Sequence, residues 1–178
     1  MDRVKKSVYV AYTMNTPKPR VVIATKSHLK ALEALVHSIA AEDHPERLDM
    51  AENASEGMYL SLGHFDMLAS DCAWVLIALD GDQPAGLAVL SRIPKLDSRL
   101  GFLYLDELHV LPKYRRQGIG RALLARSISL TRDLGLAGIR LLSRIDNEPA
   151  RQLYESMGFI ESGTMLYQIR FDRRDAQL

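Results

Sequence analysis

The chain has 178 residues, 47% of them apolar and 25% charged, which suits one domain with a sizeable core. Its 23 basic and 22 acidic side chains leave a formal charge of +1, so composition gives no argument for a nucleic acid or an anionic membrane as partner. A single cysteine excludes an internal disulfide and fits a reducing, cytoplasmic setting, and the longest apolar run, Ala73 to Leu79, is far short of a membrane span.

Residues 1–20 read as an N-terminal extension. Val8–Tyr12 has the composition of an extra strand, and Pro17 and Pro19 interrupt regular structure after it. These residues are basic but lack the long apolar centre and cleavage site of a signal peptide. Residues 21–178 read as the domain. Val21–Ala24 is expected as a buried strand. Thr25 or Ser27 can cap the next helix, where Leu29, Leu32, Leu35, Val36 and Ile39 recur at helical spacing until about Ala41. A second helical region covers roughly Glu46 to Ser70, where Gly57 and Gly63 weaken the helix and can split it in two. Ala73–Leu79 and Ala85–Ile93 flank the turn residues Asp80-Gly81-Asp82-Gln83-Pro84 and form a hairpin. Leu100–Leu111, apolar on both faces, is a strand from the centre of a sheet, and Pro112 ends it. Gly118–Leu134 is a helix closed by Gly135, and Gly138–Leu142 is a short strand. Asn147 opens a helix over Glu148–Met157, with Gly158 as its left-handed stop. Phe159–Ile160 and Met165–Phe171 are expected as a closing hairpin. The order implies an α/β fold, a mixed sheet with helices on its faces.

The stretch Tyr114-Arg-Arg-Gln-Gly-Ile-Gly120 stands where a strand has ended and a helix begins. The first helical turn has N–H groups without helical partners, and the aligned peptide dipoles add partial positive charge. Gly118 and Gly120 carry no Cβ, so an anion can approach the backbone, and Arg115, Arg116 and Arg121 add charge. This describes a pyrophosphate site; a glycine-containing loop with surface arginines is the alternative from this stretch alone. The Walker phosphate loop is excluded by its missing lysine and spacing. The dinucleotide fingerprint is excluded because position 123 is Leu.

The segment LHVLPKYRRQGIGRALL resembles the acyl-coenzyme A motif of the GCN5-related N-acetyltransferase (GNAT) superfamily, Arg/Gln-x-x-Gly-x-Gly/Ala, which Arg115–Gly120 fits at every fixed position. About thirty residues on, NEPARQLYESMGF resembles the second family signature through Asn147, Ala150, Leu153, Tyr154, Gly158 and Phe159. The resemblance spans roughly Arg20 to Phe171 and implies a mixed, mostly antiparallel central sheet of about seven strands with about four helices on its faces. It further implies acetyl-coenzyme A as co-substrate, lying between two splayed parallel strands. Main chain of Leu108, His109 and Val110 would pair with the pantetheine arm. Arg115, Arg116, Gln117, Gly118, Ile119, Gly120 and Arg121 would hold the pyrophosphate, and Asn147 would contact the arm or simply cap its helix.

Acetyl transfer to an amine requires a neutral amine, donors for the developing oxyanion and a proton for the leaving thiolate. By the resemblance, attack is direct in a ternary complex and needs no nucleophilic cysteine; Cys72 reads as a buried small hydrophobe. Tyr154 matches the family position that protonates the thiolate, a role suited to a phenol, with helix packing as its alternative. Glu107, in the apolar strand FLYLDELHV, is the base candidate, its carboxyl raised by partial desolvation. Strand alternation would turn Asp106 to the opposite face and His109 to the same face as Glu107. The N–H near Val110 would polarise the thioester carbonyl. Glu42, Asp43 and His44 lie where the family builds its acceptor pocket, and Glu42, Asp43 and Glu46 can attract a cationic amine or be a solvated loop. Tyr59, His64 and Phe65 line the pocket or pack in the core. No metal spacing is present. The expected activity is N-acetylation of a primary amine on a small molecule, peptide or protein, with a homodimer as an option common to the fold. The competing readings are a non-catalytic acyl-coenzyme A sensor and an ATP-binding protein.

Overall fold

The computed structural model describes residues 19–97 and 100–169. The expected strand at Val8–Tyr12 therefore lies outside the described residues. Two compact units are present, one ending at Leu142 and one starting at Ser143.

The first unit is built on a five-stranded sheet in the order β1-β2-β3-β4-β5. Its strands are β1 (Arg20–Ile23), β2 (Ala73–Asp80), β3 (Gln83–Ile93), β4 (Phe102–Val110) and β5 (Gly138–Leu141). The first four pair antiparallel, and β5 joins β4 in parallel. Among the described residues three α-helices belong to this unit: α1 (Leu29–Asp43), α2 (Leu48–His64) and α3 (Ile119–Asp133). β2 is buried along nearly its whole length because both of its faces are covered, which explains its uninterrupted apolar run. A Cβ placed on Gly86 of β3 would meet Ile119 of α3. The side chain of His109 on β4, on the opposite face, meets Glu42 of α1. So α3 and α1 sandwich the sheet, and α2 packs on α1. Leu35, Leu76, Ile77, Leu90, Leu103, Leu123 and Leu124 fill the core, each worth about 1.5–3 kcal/mol when fully buried.

Two irregularities shape the sheet. Leu90 pairs with Leu105 but Val89 pairs with Glu107, so Asp106 is an extra residue bulged out of β4. Asp106 is thus not set opposite Glu107 by simple alternation, and both carboxylates are exposed. A second bulge sits in β3 at Ala85.

The second unit contains α4 (Glu148–Ser156), with Pro149 in its first turn as its φ requires. Left-handed Gly158 follows its end.

The sheet has five strands among the described residues, not about seven. The expected closing hairpin does not form over residues 159–169, where Ile160, Met165, Leu166, Tyr167 and Ile169 are exposed, and residues 170 and 171 lie outside the described residues. Alternation marks a segment capable of being a strand, but a strand exists only with a ladder partner. The region from Glu46 to Ser70 holds one unbroken helix, because Gly57 and Gly63 each weaken it by only about 1 kcal/mol and its neighbours are good helix formers. Cys72 is exposed, its Sγ 3.2 Å from Ser70 Oγ, because it precedes the buried part of β2.

Candidate active site

β5 pairs with β4 only from Phe102 to Leu105, so among the described residues the rest of β4 has no strand on that side. Leu111 N–H donates to Ala85 of β3 at 3.0 Å. Backbone alternation then turns the N–H and C=O of Val110 and Leu108 toward the open edge. The chain leaves β4 through a single 3₁₀ turn, Pro112–Tyr114, anchored by buried Tyr114, and enters α3. Arg116 (φ 62°) and Gly118 (φ 84°) are both left-handed. Among the described residues, the N–H groups from Arg116 to Gly120 donate to no carbonyl. The space a Cβ on Gly118 would take is open. Successive amides without backbone acceptors beside left-handed residues, at the positive end of a helix, can hold an anion such as a diphosphate.

Two of the three motif side chains that precede Gly118, those of Gln117 and Arg115, split their roles. Gln117 Nε2 donates to Lys113 O at 2.8 Å, bracing the loop. Arg115 turns back, donating from Nε to Val110 O at 2.9 Å and from Nη2 to Glu42 Oε1. The other Glu42 oxygen lies 3.1 Å from His109 Nε2. Burial would raise the Glu42 carboxyl, but hydrogen bonds and charge from Arg115 and His109 outweigh it and hold it below the usual carboxylate range.

Glu107 shares the α1 face with His109, as alternation beyond the bulge requires. Its side chain is open to water yet crowded by protein. Desolvation pushes its pKa up, Asp106 and Asp43 push it further, and His109 offsets part of the rise. Asp43, at the end of α1, thus acts on the same spot. His44 follows as the helix cap and is exposed. Tyr59 and Phe65 on and after α2 are exposed, not core residues.

In the second unit Asn147 caps α4, its Oδ1 accepting from Ala150 N–H at 3.3 Å. Half-buried Tyr154 packs against Phe159, with ring centroids 5.9 Å apart. Burial pushes the phenol pKa up, so it keeps its proton at neutral pH.

Residues 34–159 match the model of the acetyltransferase (GNAT) family. The chain belongs to that family. It is 31% identical over 132 residues to the mycothiol acetyltransferase of Pseudarthrobacter chlorophenolicus, covering 70% of this chain but 37% of the relative. It is 45% identical over 58 residues to the ribosomal protein bS18 alanine N-acetyltransferase of Escherichia coli K12, 33% of this chain and 39% of the relative. Thus the chain spans well under half of each of these two curated relatives. Among solved structures, AAC(6')-Iy in complex with a bisubstrate analogue, CoA-S-monomethyl-acetylneamine, has the same fold, with a TM-score of 0.64, 19% identity, and coverage of 86% of this chain and 99% of that one.

Within the GNAT frame, the first unit brings together Glu42, Asp43, Glu107, Leu108, His109, Val110 and the loop from Arg115 to Arg121. Asn147 and Tyr154 belong to the second unit. The sequence reading missed the inward use of Arg115 and the bulge at Asp106. The bulge had a signal: Leu103 and Leu105 fall on odd positions and Leu108 and Val110 on even ones, a phase slip of one residue. Among the described residues no group of three or more His, Cys, Asp or Glu could hold a metal, and no helix is long and apolar enough to cross a membrane.

Proposed function

We propose that this protein is an N-acetyltransferase that moves the acetyl group of acetyl-coenzyme A to a primary amine of a small molecule, peptide or protein, by direct attack in a ternary complex. The observation that carries this reading is the cradle at Arg116–Gly120, where, among the described residues, two left-handed residues leave consecutive N–H groups without backbone acceptors. The bisubstrate complex of the structural neighbour supports coenzyme A as the occupant. Acetyl-coenzyme A, when bound, supplies a thioester-activated acyl group. Arg116, Gly118, Ile119 and Gly120 bind its diphosphate through their amides, with Arg121 at the flank. Leu108 and Val110 bind the pantetheine arm along the open edge of β4, as a sheet edge binds an extended peptide. Val110 N–H polarises the acyl carbonyl. Glu107 takes a proton from the incoming ammonium, directly or through water, and its raised pKa brings it nearer the range of an effective base. Tyr154 returns a proton to the departing sulfur, a role supported by its motif position and its protonated state.

The acceptor is a cation before it reacts. Asp43, Asp106 and Glu107 supply negative charge on or beside one face of β4, and the relatives' names cover a small-molecule and a protein acceptor. Thiol release from acetyl-coenzyme A in the presence of a panel of primary amines tests the reading. The wild type is expected to release thiol with at least one of them. Gly118→Glu places a carboxylate in the cradle at a left-handed position and is expected to raise the acetyl-coenzyme A KM about 10- to 100-fold, the loss of one or two charge-assisted hydrogen bonds. Tight binding with no turnover for any amine would instead make the chain a sensor, and an unchanged KM would remove the cradle from the mechanism.

A further inference from the structure

We infer that Glu42 is a positioning residue: through Arg115 it fixes the peptide at Val110, so that the open edge of β4 offers a donor there and hides the neighbouring acceptor. The kinetic part of this inference rests on the acetyltransferase reading; the geometric part does not.

An unpaired strand edge presents N–H and C=O groups side by side. At Val110 both point away from β3, because Leu111 N–H points toward it. A carbonyl oxygen drawn to Val110 N–H would therefore meet the negative end of the Val110 carbonyl. Arg115 removes that conflict. Its Nε–H donates to Val110 O at 2.9 Å, which occupies the carbonyl and sets a guanidinium beside it. Val110 N–H faces the open edge, beyond the last β4–β5 pair at Leu105 and Leu141.

An arginine side chain nearly half exposed does not hold such a pose unaided, since its rotamer freedom opposes it. Glu42 supplies the hold, accepting from Arg115 Nη2 while Nε serves Val110. The planar fork of arginine fits this double duty, and lysine, with a single nitrogen, does not. The second Glu42 oxygen meets His109, so one carboxylate ties the end of α1 to residues on both sides of Val110. The Glu42 and His109 side chains keep only 26% and 20% of their exposure, which makes their contact stronger than a fully solvated pair. With both oxygens engaged, Glu42 is not the free anion that would attract an acceptor amine.

The test begins with ligand-free, ¹⁵N-labelled protein and follows the Val110 amide resonance. Glu42→Ala and Arg115→Lys are expected to move it to similar positions, with Glu42→Gln in between. A Val110 resonance unmoved by Glu42→Ala overturns the inference whatever the enzyme does. In turnover, Glu42→Ala is expected to lower kcat about tenfold or more through misplacement of Val110, with the acceptor KM changed less than about threefold. The Glu42→Ala/Arg115→Lys double variant is expected to be no slower than the slower single, as members of one chain of contacts behave. Additive losses, or an effect confined to the acceptor KM, would contradict the positioning role. A wild type without turnover whose Val110 resonance still responds would sink the acetyltransferase reading and leave the clamp standing.

Discussion

Two carboxylates near the same face of β4 are pushed in opposite directions. Glu42 is held below the usual range because hydrogen bonds and charge from Arg115 and His109 outweigh its burial. Glu107 is pushed above it by desolvation and then by Asp106, with His109 pulling the other way and Asp43 adding a smaller push. Environments that separate the pKa values of neighbouring acids are a mark of acid–base sites. The consequence for folding has a definite sign. A carboxyl whose pKa is raised in the folded state opposes folding once it ionises, so its cost is absent below its ordinary value of 4.5 and appears as pH rises through the folded pKa. Glu107→Gln is therefore expected to melt higher than the wild type at neutral pH and at the same temperature at about pH 4. In kinetics the same substitution is expected to lower turnover and erase the acidic limb of the kcat/KM profile, whose midpoint in the wild type lies above the ordinary glutamate value. Melting curves and rate profiles across pH check both. A Gln variant that keeps the limb would clear Glu107 of the base role. Glu42 contributes in the reverse sense: its lowered pKa gives stability above the ordinary carboxylate range that is lost as pH falls through the folded value.

At the scale of elements, β3 and β4 come so close that only glycine fits between them. A Cβ on Gly86 would lie 2.5 Å from the carbonyl oxygen of His109 and 3.2 Å from Cα of Val110, both backbone atoms that cannot step aside. Gly86→Ala is expected to destabilise the fold by about 1–3 kcal/mol through overpacking. In a chain of this size each kcal/mol lowers Tm by about 2–4 °C. It is also expected to reduce turnover, because the displaced residues are those that line the open edge. Gly57→Ala is the control: its Cβ would meet nothing on α2, and replacing a helical glycine by alanine is expected to raise stability by up to about 1 kcal/mol. Equal melting of wild type and Gly86→Ala would mean that the strands adjust without loss. The same elements mark where the sequence was legible. α1, α3 and α4 were readable because helical period and caps are local, as was the β2–β3 hairpin, whereas the parallel pairing of β4 with β5 was implied only by the family resemblance. The bulge was visible only in a phase slip of leucines, and the clamp of Glu42 on Arg115 joins residues 73 positions apart, which no local pattern encodes. The closing hairpin was over-read because alternation reports strand capability and not the presence of a partner.

At the scale of the molecule, the sequence points to a cofactor and to no particular acceptor, for one physical reason. A diphosphate is recognised by backbone amides, so its site leaves a fixed trace of glycines and a helix start. An acceptor amine is recognised by side chains, which leave no such fixed trace; the exposed Tyr59 and Leu60 of α2, for example, belong to no buried pattern. A ligand test can therefore be sharper for the cofactor than for the amine. Binding to the native state alone raises stability by about 2.7 kcal/mol at a ligand concentration 100 times Kd. That corresponds to a Tm rise of about 5–10 °C for 150–250 residues. Coenzyme A is expected to produce such a rise, since it can occupy both the amide cradle and the open edge of β4. ATP offers phosphates to the cradle but nothing extended for Leu108 and Val110, and the loop has no lysine or metal-binding hydroxyl to favour a triphosphate. Its shift at the same concentration is expected to be less than half as large. Thermal melting with the two ligands in parallel makes the comparison. An equal shift with ATP would mean that the anion cradle alone accounts for binding, and the strand edge would lose its place in the site.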